Sequence, residues 1–316
     1  MSAGQRLPGT PEPALLLRGA DGLRIAADCW GDAEGPLVLL QHGGGQTRHA
    51  WRNAGKGLGA AGYFAVAFDA RGHGDSDWAP DGRYGQDAMI HDLERVIAGL
   101  GRTRPVLVGA SMGGGVSLAA VGEDHVDATA LVLVDIAPRI EEQGVERITT
   151  FMSQKPEGFD SLEEIADAIA SYQPHRKRAR DLRGLAKNVR LATNGKYRWH
   201  WDPRMLPDRY DMALRQARLE NCARRLTLPT LLVRGGSSDL LTEEGAADFL
   251  RLCPHSEFVN VAGAAHMVAG DRNDVFAAAV IAFLARAVPA GGQAKHPAHE
   301  LHPHNEGPLG SLQDVP

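Results

Sequence analysis

Short apolar runs, all but one of them uninterrupted, alternate along the chain with segments whose apolar residues recur every three or four positions. Leu37–Leu40, Phe64–Phe68, Val106–Val108, Leu131–Val134, Leu231–Val233 and Phe258–Val261, the last broken by Asn260, each have Gly, Asp or Pro within two residues of an end. Such runs fit strands covered on both faces of a sheet. Between them, Gln86–Leu100 carries Met89, Leu93, Val96, Ile97 and Leu100 on one helical stripe. Phe276, Val280, Phe283 and Leu284 do the same within Asp274–Val288. Strand–helix alternation predicts right-handed crossovers and a mostly parallel, doubly wound α/β sheet. Leu15–Asp21 and Leu23–Gly31 read as an antiparallel pair at one edge, turned at Asp21-Gly22.

The alternation breaks between Pro138 and about Cys222, where the pattern is helical throughout. Ser161-Leu-Glu-Glu164 resembles a capping box ahead of a helix over Ser161–Tyr172, a second helix follows over Asp181–Leu191, and Asn194-Gly195 marks a turn. The expectation is a core over residues 1–138 and 223–288 with a helical cap inserted at 139–222. Residues 289–316, rich in Gly, Pro and His and without periodicity, read as a flexible tail. There is no internal repeat.

Composition narrows the class. With 316 residues, 43% hydrophobic and 23% charged, the chain is not collagen-like, wholly disordered or a disulfide scaffold. The longest apolar run, Phe276–Ala285, falls well short of the ~20 residues that span a bilayer. The N-terminus lacks the charged-then-apolar pattern of a secretory signal. A net charge of −5 gives no field favouring nucleic acid. Cys29, Cys222 and Cys253 are far apart with no CxxC, and read as reduced thiols of a cytoplasmic protein.

The strongest chemical signal is Gly109-Ala-Ser111-Met-Gly113, after one apolar run and before a helical segment, Gly114–Val121. A nucleophile on a sharp strand-to-helix turn stands clear of its own backbone, and flanking glycines let neighbouring chains approach. The helix start aims backbone N–H groups at a developing oxyanion. Serine needs a base held in position. His266 follows the last strand run and Asp239 follows Leu231–Val233, so the order is Ser, Asp, His, with all three past strand C-termini on one sheet edge. His42-Gly-Gly-Gly45, after Leu37–Gln41, offers amides that face the amide of Met112 across such a site.

These motifs resemble the α/β-hydrolase superfamily, and in particular capped members such as bacterial carboxylesterases, haloperoxidase-like perhydrolases and carbon–carbon bond hydrolases. The resemblance covers about Leu15 to Val288 and includes Asp69-Ala-Arg-Gly-His-Gly-Asp-Ser76, where His73 reads as a turn residue. It implies an α/β-hydrolase fold with Ser111 as nucleophile, His266 as base, Asp239 as acid and the amides of Gly44 and Met112 as oxyanion donors, with no cofactor and no metal. Some relatives carry the acid one strand earlier, where Asp135 stands. Asp239 is preferred because Gly235–Asp239 forms a loop long enough to reach a histidine. Serine rather than aspartate at the nucleophile disfavours epoxide hydrolase and haloalkane dehalogenase chemistry. The expected activity is hydrolysis of a small or medium carboxylic ester or lactone through an acyl-enzyme. Carbon–carbon hydrolysis, perhydrolysis and a ligand-binding receptor are the alternatives.

Other signals are weaker. Gly57-Leu-Gly59-Ala-Ala-Gly62 matches a dinucleotide fingerprint but sits before a strand rather than after one. Ten Lys/Arg between Pro174 and Arg204 either attract an anionic substrate or form a solvated helix face, and Arg183, Lys187 and Arg190 on one side favour the second reading. Trp199 and Trp201 are candidate walls of a substrate pocket. The expected partner is a small molecule with an activated carbonyl, rather than nucleic acid or membrane.

Overall fold

The computed structural model describes residues 3–174, 178, 180–206, 211–268 and 273–290. The strands are β1 (Gln5–Arg6), β2 (Leu15–Arg18), β3 (Arg24–Trp30), β4 (Leu37–Gln41), β5 (Phe64–Phe68), β6 (Val106–Ala110), β7 (Ala130–Val134), β8 (Val189–Leu191), β9 (Tyr197–Trp199), β10 (Thr230–Gly235) and β11 (Glu257–Val261). Eight of them form one sheet in the order β11-β10-β7-β6-β4-β5-β3-β2. Neighbours from β11 to β5 run parallel, while β2 and β3 close one edge antiparallel. Asp21 and Gly22, both at positive φ, turn that hairpin.

Each inner parallel strand sends alternate residues to opposite faces, and each face is covered, whereas the edge strand β11 leaves Phe258 41% exposed, against the covered strand expected there. Leu37 and Leu39 join one buried cluster with α2 (Gln86–Gly99), α3 (Met112–Gly122), α6 (Met212–Arg225) and α7 (Glu243–Leu252). Val38 and Leu40 join the other, with α1 (Arg52–Ala60) and α8 (Asn273–Ala287). Met89, Leu93 and Val96 bury the predicted stripe of α2, and Phe276, Val280, Phe283 and Leu284 that of α8. The Gly57–Gly62 run falls at the end of α1, a helix terminus.

The insertion after β7 departs from an all-helical cap. It holds α4 (Glu142–Met152) and α5 (Leu162–Tyr172), the latter capped by the Ser161 hydroxyl accepting from Glu164 N–H. The segment expected as a helix over Asp181–Leu191 is a 3-10 stretch, Leu182–Asn188, followed by β8. β8 pairs antiparallel with β9 and with β1, so the start of the chain completes a small sheet inside the cap. Tertiary pairing overrides local periodicity here, because Val189 and Trp199 are buried in the cap's own cluster. Met212–Arg225 begins within the stretch expected for the cap, yet its Leu219 and Cys222 pack into the core beside Ala223, and Gly122 accommodates them: a Cβ there would meet Cys222 Cβ at 2.3 Å. Most of the proposed tail, from residue 291 onward, lies outside the described residues.

Candidate active site

Ser111 occupies the turn between β6 and α3 with φ 47° and ψ −112°. A non-glycine residue held there stores roughly 1–3 kcal/mol of strain. The flanking glycines make the turn possible. A Cβ on Gly109 would lie 2.5 Å from Gly113 O and from Gly114 Cα, and one on Gly113 would lie 2.6 Å from Gln41 Cβ. Ser111 N–H donates to Val134 O at 3.1 Å and Gly113 N–H to His42 O at 3.2 Å, so the turn is tied to β7 and to the loop after β4.

The acid beside the histidine differs from the one preferred on sequence grounds. Asp135, the residue after β7, is fully buried at φ 51°. Its Oδ1 accepts from Gly235 N–H at 2.8 Å, and its Oδ2 accepts from the Ser238 hydroxyl at 2.5 Å and from His266 Nδ1 at 2.7 Å. Asp239 instead pairs with Arg147 of α4 at 2.5 Å, with its side chain 45% exposed. The reason lies in the loop after β10. The Ser238 hydroxyl accepts from the amides of Leu240 and Leu241, whose side chains are buried, so the turn is pinned with Ser238 facing inward. That leaves Asp239 facing the cap. Asp135 is thus the partner of His266, and Asp239 is a cap contact.

The glycine loop presents one open amide. Gly43 N–H donates to Gln46 Oε1 at 3.0 Å and Gly45 N–H to His73 Nε2 at 3.2 Å, whereas Gly44 N–H has no acceptor among the described residues. The Met112 amide, in the first turn of α3, is likewise without one. Two buried histidines shape the loop. His42 Nε2 accepts from Ala70 N–H at 3.0 Å, so its proton sits on Nδ1, which donates to Gly43 O at 2.8 Å. His73 accepts at Nε2 and so donates from Nδ1 to Arg71 O at 3.1 Å. His200, from the cap, accepts from Gly74 N–H at 2.8 Å. Burial holds all three below the ordinary histidine range, with His42 adding to the effect on His73, and His73 to that on His200.

A cavity of about 400 Å³ joins Ser111, His266 and the glycine loop to the cap. Trp199 and Trp201 line it, stacked with centroids 4.9 Å apart. Phe151 and Tyr172 also line it, stacked at 4.2 Å; these two sequence reasoning did not single out, because α4 and α5 meet only in the tertiary fold. Arg147 reaches over the Tyr172 ring at 5.5 Å, so its pair with Asp239 braces this wall. Gln46 and Met267 complete the rim, with Gln46 Nε2 2.6 Å from the sulfur. Gln46 carried no motif that could have flagged it.

Residues 36–272 match a family model described as the alpha/beta hydrolase fold. The chain is 33% identical over 262 residues to esterase Rv0045c of Mycobacterium tuberculosis, covering 79% of this chain and 81% of that protein. It is 27% identical over 256 residues to a 3-hydroxybutyrate-oligomer hydrolase of Cupriavidus necator, covering 77% and 87% respectively. The crystal structure of E-2-(acetamidomethylene)succinate hydrolase superposes with a TM-score of 0.72 over 85% of this chain and 98% of that one, at 24% identity, a likeness of fold.

Proposed function

The chain belongs to the α/β-hydrolase family, and from that premise we propose that it is a serine hydrolase that cleaves a small or medium carboxylic ester through an acyl-enzyme. The observation that carries this reading is the 2.7 Å contact between His266 Nδ1 and buried Asp135, at a cavity that Ser111 also lines. With Nδ1 donating to the carboxylate, Nε2 keeps its lone pair for the serine proton. Ser111 Oγ attacks the carbonyl carbon as His266 takes its proton, and the Gly44 and Met112 amides receive the oxyanion, each worth about 3 kcal/mol. The tetrahedral intermediate collapses, the C–O bond to the leaving group breaks, and His266 protonates that group. Water then repeats the sequence and frees the acid. A relative named as an esterase supports the ester as substrate.

The test is labelling by a fluorophosphonate together with the Ser111→Ala variant. Labelling at Ser111, with kcat on a short-chain ester reduced about 10⁴-fold or more at unchanged melting temperature, is the expected result. Near-normal turnover in the variant would remove the mechanism.

A further inference from the structure

Five of the described basic residues between Pro174 and Arg204 pair with carboxylates, while Arg180 and Arg198 stand exposed to solvent. Arg178 pairs with Asp167, Arg183 with Asp181, Arg190 with Asp75, Lys196 with Asp160 and Arg204 with Asp202. Arg190 is therefore a buried tie to the core and not part of a solvated face with Arg183 and Lys187. Lys187 is different. It is half-buried, lines the same cavity as Ser111 and His266, and has no carboxylate partner among the described residues. Arg52, at the start of α1, lines the cavity from the core side and also lacks one. No Asp or Glu lines this cavity among the described residues. Burial lowers the pKa of Lys187, and the nearby charge of Arg52 lowers it further. A half-buried ammonium and an exposed guanidinium at one cavity, with no carboxylate in its lining, give that edge a positive field that an anionic ligand would balance.

Resting on the serine-hydrolase reading, we propose that Lys187 and Arg52 form an anion subsite and that the substrate is an ester bearing a carboxylate beyond an apolar segment. Asn53 and Asn188, which flank the two cations in the cavity lining, add amide donors. The aromatic wall of Phe151, Tyr172, Trp199 and Trp201 receives the apolar segment. A singly charged carboxylate matches one half-buried ammonium with an exposed guanidinium at the mouth. A phosphate dianion would call for more buried donors than this rim supplies.

Monoethyl esters of C4 to C8 dicarboxylic acids, assayed by pH-stat beside neutral ethyl esters of matched length, read this directly. The wild type is expected to favour the anionic ester of best length by about tenfold to a hundredfold in kcat/KM, through KM, with the preference shrinking as salt rises. Lys187→Met should reduce that anionic-to-neutral ratio at least about tenfold, and Lys187→Arg should restore part of it. Should the Met variant fail to fold, competitive inhibition of the wild type by the free dicarboxylate, but not by its diamide, gives the same reading. Equal or better hydrolysis of neutral esters, an unchanged ratio in Lys187→Met, or stronger inhibition by an alkyl phosphate than by the carboxylate would each overturn the subsite. If neutral-ester hydrolysis still depends on Ser111 in those cases, the serine-hydrolase reading stands without it.

Discussion

The strand ends of the core and the cap above them hold the cavity in different ways. At the core rim, backbone geometry fixes the groups: Ser111 and Asp135 both sit at positive φ, and Gly109 and Gly113 leave no room for a Cβ. The cap holds its share through side chains, with Phe151, Tyr172, Trp199 and Trp201 packed ring to ring. A buried charge network joins the two regions. Asp75 meets Arg48 at 2.9 Å on the core side, and Arg190 at 2.7 Å and Arg6 at 3.0 Å on the cap side. Burial alone would lower the Arg48 pKa, but Asp69 and Asp28 outweigh it and raise it, so that guanidinium is held charged. The contrast teaches that the chemistry is built into the backbone, whereas pocket shape and charge rest on replaceable side chains.

Exchanging the two candidate acids breaks the comparison most sharply. Asp135→Asn is expected to lower kcat about 10⁴-fold by losing the acceptor that orients His266, while Asp239→Asn, at the cap contact, should change it by less than about threefold. Steady-state kinetics on one ester decide it, and a larger loss in the Asp239 variant would reverse the assignment. Next in size is the junction. Asp75→Asn leaves Arg190 and Arg48 buried with less compensation and should cost about 3–5 kcal/mol, read as a shift of the urea midpoint. An unchanged midpoint would mean that the cap does not depend on the network.

The smallest effect concerns the histidines where the regions meet. Burial depresses the pKa of His42, His73 and His200 below the ordinary 6.5. The folded protein therefore binds fewer protons than the unfolded chain once the pH drops below that value. Their contribution to stability is complete above about pH 6.5 and is lost as the pH falls toward the folded-state values, at up to about 1.4 kcal/mol per pH unit for each histidine. Replacing His200 by Gln should remove one such increment from the slope of unfolding free energy against pH, measured by urea titration between pH 7 and pH 5. An unaltered slope would mean that His200 binds its proton equally in the folded and unfolded chain.

The core strands were legible in the sequence because a strand buried on both faces must be apolar at every position, whatever its neighbours are. The helices α2 and α8 were legible because one stripe of each must be buried. The Ser111 turn was equally plain, since glycine on both flanks is what close backbone approach demands. Asp135 and Asp239 both follow strands, and spacing alone cannot separate them: the choice came from the pinned turn at Ser238, Leu240 and Leu241, a contact set visible only when the loops after β7, β10 and β11 meet. The strand β8 was hidden for a similar reason, because its partner β1 lies some 180 residues earlier in the chain. Lys187 looked like its basic neighbours until ion pairs claimed several of them. Local pattern sets what a segment must bury; long-range pairing decides which charge or carboxylate is left facing the cavity.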